Sequence, residues 1–226
     1  DAEVWSWNGT TWTQIGGDSL NSGWGVGYEG VYSLTNDGSN LYAGLGVTAG
    51  DNEVWRWNGT TWTQIGGDGL NNCWPANTYE TASVMANDGT NLYVGLGNTA
   101  GDAEVWSWNG ATWTKIGGDA INSSWPVSTY EYVFGMTYVN SVLYAGLGSS
   151  ANDAEVWSWN GTTWTKIGGD SINSGWTTNY EIVGSLSNDG TNVYAGLGNT
   201  AGDAEVWRWN GIAWTQIGGD GLNSGF

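Results

Sequence analysis

Glu3-Val-Trp-Ser-Trp-Asn-Gly9 is the first of five near-identical copies, the others beginning at Glu53, Glu104, Glu155 and Glu205. A unit of 50 or 51 residues has therefore been duplicated along the chain, and a period of that size reports architecture before it reports function. Extended backbone sends alternate side chains to opposite faces, which puts Glu3, Trp5 and Trp7 on one side and Val4, Ser6 and Asn8 on the other. Both tryptophans of each copy are then expected to pack between neighbouring sheets. Asn-Gly closes the stretch with the positive φ that a tight hairpin needs.

Reading outward from the third copy, Tyr79 to Trp125 resolves into four short runs rich in Val, Ile, Thr, Tyr and Trp, separated by Asn87-Asp-Gly, the polar loop Asn98-Thr-Ala-Gly-Asp102 and Asn109-Gly. These are strands A, B, C and D, without a helical period anywhere. C-D hairpins start at 3, 53, 104, 155 and 205, and A-B hairpins at 28, 79, 130 and 180. Repeated four-stranded antiparallel sheets that must bury both faces against their neighbours predict an all-β fold, a β-propeller, with residues 1–226 as one domain. The glycines of Gly-Leu-Gly at Gly44, Gly95, Gly146 and Gly196 would let backbones crowd near the central axis. Because the sequence opens on strand C and closes after strand D, five C-D hairpins face four A-B hairpins, with Phe226 standing where Trp24, Trp74, Trp125 and Trp176 stand. The expectation is five blades with one incomplete. The alternatives are a shortened chain, inner strands supplied by a second chain, or an arc of a larger ring, and unpaired strand edges would invite homo-oligomers.

The chain has 39 glycines, 19 tryptophans and only 2 prolines in 226 residues, so its core must be built from aromatics with polar edges. Arg56, Lys115, Lys166 and Arg208 stand against 22 acidic residues, for a formal charge of -18. Such a field repels phosphate backbones and anionic headgroups, which argues against nucleic acid and membrane partners. No apolar run reaches the roughly 20 residues of a spanning helix, and a soluble, processed product starting at Asp1 is expected, secreted or extracellular. Cys73 stands where other copies have Gly23, Ser124 and Gly175, and histidine is absent. The usual zinc, copper and iron ligand sets and the Ser-His or Cys-His nucleophile pairs are thereby removed, and no cofactor or metal is expected. Four N-glycosylation sequons occur, at Asn8, Asn58, Asn122 and Asn160; three coincide with hairpin turns, which explains them better.

Catalysis needs groups with different roles placed once, whereas the carboxylates here come in families: Asp18, Asp68, Asp119, Asp170 and Asp220 after Ile-Gly-Gly; Asp51, Asp102, Asp153 and Asp203 before strand C; Glu29, Glu80, Glu131 and Glu181 after Tyr. That symmetry argues against an enzyme. Asn36-Asp-Gly, Asn87-Asp-Gly and Asn188-Asp-Gly look like fragments of calcium loops but lack alternating oxygen ligands, so hairpin turns are the better reading. The loop before strand C could hold a cation weakly through its Asp.

The D-to-A connection, Ile-Gly-Gly-Asp-x-(Leu/Ile)-Asn-x-x-Trp, offers the strongest ligand candidate. It combines an aromatic, a carboxylate, an amide and glycine N–H groups, the parts of a neutral sugar site. Trp24, Trp74, Trp125 and Trp176 would stack on the sugar, while Asp18, Asp68, Asp119 and Asp170 with Asn21, Asn71, Asn122 and Asn173 would bond its hydroxyls. The alternative is that these tryptophans plug the gap between blades and the aspartates shape a turn.

Ile-Gly-Gly, the following Trp, the strand pair ending Gly-x-x-Leu-Tyr and the Trp of strand D resemble the tachylectin-2 type of five-bladed lectin, with a more general kelch-like strand pattern. The resemblance implies one site per blade for N-acetylglucosamine or a related acetylated sugar. The expected function is a multivalent, non-enzymatic, carbohydrate-binding propeller with glycans or glycoconjugates as partners; the second reading is a structural or protein-interaction scaffold, natural or designed, without a small ligand.

Overall fold

The computed structural model describes residues 2–28, 30–46, 52–75, 81–97, 103–126, 130–148, 153–177, 180, 182–198, 204–219 and 221–224. Among these residues every long element is a strand: β1 (Val4–Trp7), β2 (Trp12–Gly16), β3 (Gly30–Asn36), β4 (Leu41–Gly46), β5 (Val54–Trp57), β6 (Trp62–Gly66), β7 (Thr81–Asn87), β8 (Leu92–Gly97), β9 (Glu104–Trp108), β10 (Trp113–Gly117), β11 (Tyr132–Val139), β12 (Val142–Gly148), β13 (Glu155–Trp159), β14 (Trp164–Gly168), β15 (Ile182–Asn188), β16 (Val193–Gly198), β17 (Glu205–Trp209) and β18 (Trp214–Gly218). β3–β6, β7–β10, β11–β14 and β15–β18 each run A-B-C-D as an antiparallel meander, and β1–β2 is a C-D hairpin. The fold is a β-propeller of four-stranded blades. The chain forms two compact units, residues 1–98 with 106–115 and residues 99–105 with 116–226. Asp51, Asp102, Asp203, Asp220, Glu29, Glu80, Glu181, Tyr79 and Phe226 lie outside the described residues.

The turns follow from their side chains. In the first C-D hairpin, Asn8 Oδ1 accepts from the N–H groups of Thr10 and Thr11 at 2.9 Å each, and Gly9 takes φ 97°. Asn58, Asn109, Asn160 and Asn210 repeat this bond pair. An asparagine that mimics a backbone turn accounts for the Asn-Gly at three sequons. The A-B turn uses a carboxylate instead: Asp37 accepts from Ser39 N (2.8 Å), Asn40 N (2.7 Å), Asn40 Nδ2 (3.0 Å) and the Tyr42 hydroxyl (2.7 Å). Asp88 and Asp189 do the same. These carboxylates are spent on the hairpin, as the turn reading expects. The third A-B turn, Val139-Asn-Ser, reaches the same bend by placing Asn140 and Ser141 at φ 54° and 63°.

Neighbouring blades approach closely along strand B. A Cβ on Gly44 would lie 2.5 Å from Ser33 Oγ and 2.7 Å from the Ala82 carbonyl of the next A strand, and one on Gly146 would lie 2.7 Å from Val183 Cγ1. Only glycine allows that contact. The repeats also interlock through strand D. Trp62 Nε1 donates to the Ile15 carbonyl at 2.7 Å and Trp113 Nε1 to that of Ile65 at 2.7 Å; Trp164 reaches Ile116 at 2.8 Å and Trp214 reaches Ile167 at 2.9 Å. The cores are thus aromatic stacks in which the strand-D indoles of Trp62, Trp113, Trp164 and Trp214 each meet a carbonyl, backed by Val and Leu such as Val54, Leu45, Val156 and Leu143.

Candidate functional site

The D-to-A loop takes an unusual course. Asp18, Ser19, Asn21 and Ser22 all have φ between 53° and 61°, and the equivalent residues of the other copies repeat this left-handed turn. Asp and Asn tolerate that region better than other side chains, which is why the loop is written with them. The turn is pinned by Ser19 N donating to the Trp24 carbonyl (2.8 Å) and by Asn21 Nδ2 donating to the Ile15 carbonyl (3.0 Å). Asn71, Asn122 and Asn173 make the same bond to Ile65, Ile116 and Ile167, each at 3.0 Å.

Winding the loop this way drives its tryptophan inward. Trp24 is 1% exposed, donates to the Ala2 carbonyl at 2.7 Å, and lies edge-on to Trp55 and Trp62 with centroids 5.9 and 5.0 Å away. Trp74, Trp125 and Trp176 are buried in the same manner, bonded to Asn52, Ala103 and Ala154. A ring enclosed on both faces has nothing to offer a pyranose, so the stacking role expected of these four is corrected: they plug the gap between repeats. The four asparagines are drawn to their own strand ends. Of the loop aspartates, Asp18 and Asp68 are exposed and Asp170 accepts from Lys166 at 2.6 Å. Trp, Asp and Asn therefore do not converge on one surface.

A different concavity lies between blades. In the second unit, Val142, Tyr144, Ser158, Asn160, Thr165 and Ile167 of one blade face Trp209 and Gly211 of the next across a cleft of about 290 Å³. Its floor is apolar, Val142, Ile167 and the Trp209 ring. Its rim carries the hydroxyls of Ser158 and Thr165, with Ser158 Oγ donating to the Thr165 carbonyl at 3.3 Å. The Tyr144 hydroxyl is bonded to the Trp209 side chain, and burial is the main cause raising its pKa, so it stays neutral. Among the described residues no charged side chain lines this cleft.

The first unit has the counterpart, with Tyr42 and Arg56 of one blade facing Trp108 and Gly110 of the next, joined by Asp37, Asn87 and Asn91. Here the cleft is only about 60 Å³. One difference between the copies is the residue between the two strand-C tryptophans, Ser6, Arg56, Ser107, Ser158 and Arg208; another is the A-B turn, since Asp37 lines the smaller cleft and Val142 the larger. The buried Arg56 Nε has no hydrogen-bond partner among the described residues. The sequence carried a signal for this cleft, since that position varies inside an otherwise repeated motif. What the motif could not show is that residues about fifty apart in sequence meet there.

A third cluster lies in the second unit. Asp153, Glu155 and Asp170 bring carboxylate oxygens within 4.8 Å of one another. Lys166 sits among them, bonded to Glu155 and Asp170, and Glu155 also bonds the Tyr130 hydroxyl and accepts from Trp157 Nε1 at 2.7 Å. Burial raises the pKa of Glu155 more than Lys166, Tyr130 and Trp157 lower it, and it drives the Tyr130 hydroxyl far above the usual tyrosine range. Asp153, from the loop before strand C, is the one of the three that Lys166 reaches only through charge, and burial with the neighbouring Asp170 raises its pKa.

No protein family and no curated protein matches the chain in sequence. Solved structures match it in fold. The β-propeller domain of the trilobed protease from Pyrococcus furiosus, described as having an open velcro topology, superposes with TM-score 0.53 at 9% identity over 81% of this chain and 53% of its own. YjhT gives TM-score 0.53 at 12% identity over 86% of this chain and 66% of its own. The SapL1 lectin, solved with α-methyl fucoside, gives TM-score 0.50 at 15% identity over 81% of this chain and 60% of its own. The chain thus spans roughly half to two thirds of the length of these neighbours. Proteins as different as a protease and a lectin share this architecture, and at such identities the likeness is one of fold.

Proposed function

We propose that the chain is a multivalent carbohydrate-binding propeller whose neutral sugars seat in the clefts between adjacent blades. The observation that carries this reading is the uncharged cleft of about 290 Å³ in the second unit, with the apolar edge of Trp209 on one wall and the Ser158 and Thr165 hydroxyls on the other. Its size is near the lower end of small-molecule sites, on the order of 300 Å³, which suits a monosaccharide. A sugar has apolar C–H faces and a rim of hydroxyls, and the cleft offers the matching halves. In a protein of formal charge -18, an uncharged cleft also favours a neutral ligand over an anion. The sequence resemblance to tachylectin-2-type lectins supports N-acetylglucosamine or a related sugar, and a lectin among the structural neighbours is consistent with it. Single sites of this depth bind weakly, and repetition along the ring compensates through avidity.

Native mass spectrometry and calorimetry with N-acetylglucosamine, fucose and galactose test the reading. Binding of at least one neutral sugar is expected, lost from the second-unit cleft in Ser158→Arg while the unfolding midpoint is kept. If no sugar of the panel binds at millimolar concentration, or if Ser158→Arg leaves the stoichiometry unchanged, the reading fails and the scaffold alternative takes its place.

A further inference from the structure

Four basic side chains stand against 22 acidic ones in this chain, so a basic group that is withdrawn from water has no shortage of carboxylates to pair with. Lys166 pairs with Glu155 and Asp170. Arg56 does not follow suit: it makes no hydrogen bond and no ion pair among the described residues, although its Nε is buried. The side chain as a whole is only partly buried and lines the first-unit cleft, so a ligand entering that cleft meets it.

The cleft is built to leave this guanidinium unpaired. Asp37 lines it too, but its carboxylate already accepts from Ser39 N, from Asn40 N and Nδ2, and from the Tyr42 hydroxyl. The Tyr42 hydroxyl donates to Asp37 and stays neutral, and the Asn87 amide donates to Thr35 and to the Asn36 carbonyl. Arg56 and Asp37 are the charged side chains lining the cleft among the described residues. With Nε buried, the guanidinium is already partly dehydrated, and an anion that reaches it gains more than it would at an open surface.

Size and charge select the anion. The cleft of about 60 Å³ matches about two waters at a liquid share of about 30 Å³ each, room for a small planar head group and not for a pyranose ring. A carboxylate fits the planar fork of arginine, and as a monoanion it meets less opposition from Asp37 and from the formal charge of -18 than a phosphate dianion does. We propose that the Arg56 cleft is a binding site for a small carboxylate ligand, a hexuronic acid being its sugar form, with the carboxylate on the guanidinium and the remainder directed past the exposed Thr90. The proposal stands on the first unit alone and does not rest on neutral sugars in the second-unit cleft, where Ser158 takes the place of Arg56.

The chain has two arginines, Arg56 and Arg208, so a proton–nitrogen correlation spectrum holds two side-chain Nε–H signals, which Arg208→Lys assigns. Titration with acetate, glucuronate and glucose at constant ionic strength tests the site. The Arg56 signal shifts saturably with both acids and not with glucose. Equal affinities for the acids place recognition in the head group alone, and tighter binding of glucuronate extends it to the ring. Arg56→Lys keeps the charge but loses the fork, and weakens glucuronate on the order of tenfold by calorimetry with the unfolding midpoint kept; if that variant does not fold, the wild-type titration decides. An Arg56 signal that neither acid moves at tens of millimolar, an equal shift with glucose, or a folded Arg56→Lys that binds glucuronate like wild type would overturn the proposal. Neutral sugar at the Ser158 cleft is read separately through Ser158→Arg, so either reading can fail while the other holds.

Discussion

The Tyr42 hydroxyl donates to Asp37 Oδ2 at 2.7 Å, five residues apart across the first A-B hairpin. Burial, then the Asp37 acceptor and its charge, push the Tyr42 hydroxyl from 10.0 up to about 12. For Asp37 burial acts upward, but the bonds from Asn40, Tyr42 and Ser39 outweigh it and hold the carboxyl well below 3.8. The unfolded chain therefore binds the Asp37 proton first on acidification and releases the Tyr42 proton first on alkalinisation. The hairpin's contribution is fully present between these limits, lost as pH falls below about 4 and lost again as pH rises from about 10 through 12. Urea unfolding of wild type and Tyr42→Phe as a function of pH checks this. The variant should lose part of the alkaline decline; equal slopes for both proteins between about pH 10 and 11 would refute the pairing.

Trp176→Phe should cost stability without touching sugar binding. The change deletes the bond to the Ala154 carbonyl, leaves that carbonyl buried and unpaired, and opens space against Trp207 and Trp214. A loss of about 2–4 kcal/mol is expected from the cavity and the orphaned acceptor together. Denaturant titration gives the first quantity and calorimetry the second. A variant of native stability that has lost its sugar would restore the loop tryptophans as ligand contacts.

Ala120→Gly should stabilise the chain. Ala120 sits at φ 59°, at a position where other copies carry Gly69 and Gly221 at 72° and 69°. The left-handed region costs a non-glycine residue about 1–2 kcal/mol, and glycine returns part of that gain as unfolded-state entropy. A net rise of about 0.5–1 kcal/mol is the expected outcome by chemical denaturation. A fall would mean that Ala120 makes a contact worth more than the strain.

The repeat and its Asn-Gly and Asn-Asp-Gly turns made the strands legible, because those turns are closed by side chains within two to five residues, such as Asn8 with Thr10 and Asp37 with Tyr42. Packing of the strand-C tryptophans between blades was legible by alternation for Trp55, Trp106, Trp157 and Trp207, which lie edge-on to Trp24, Trp74, Trp125 and Trp176, but Trp5 and Trp7 of the first copy are half exposed. The direction of the loop tryptophans was not legible. It depends on a left-handed turn over Asp18–Ser22, and the same Asp, Asn and Trp would suit an outward-facing sugar site had the backbone turned the other way. The cleft was equally hidden, since Ser158 and Trp209 come from different repeats and only packing brings them together.

Arg56→Ser should add a sugar site. Arg56 stands where Ser158 stands, it lines a cleft of about 60 Å³ where the Ser158 cleft has about 290 Å³, and its buried Nε has no hydrogen-bond partner among the described residues. Serine removes an unsatisfied donor and uncovers the Tyr42 and Trp108 edges. Stability should change by no more than about 1 kcal/mol, because the lost packing and the relieved desolvation oppose each other. The number of neutral sugars bound per chain, read by native mass spectrometry, should rise by one over wild type. If it does not rise although the variant is folded, serine at this position does not make a cleft competent, and the assignment of the Ser158 cleft loses its support as well.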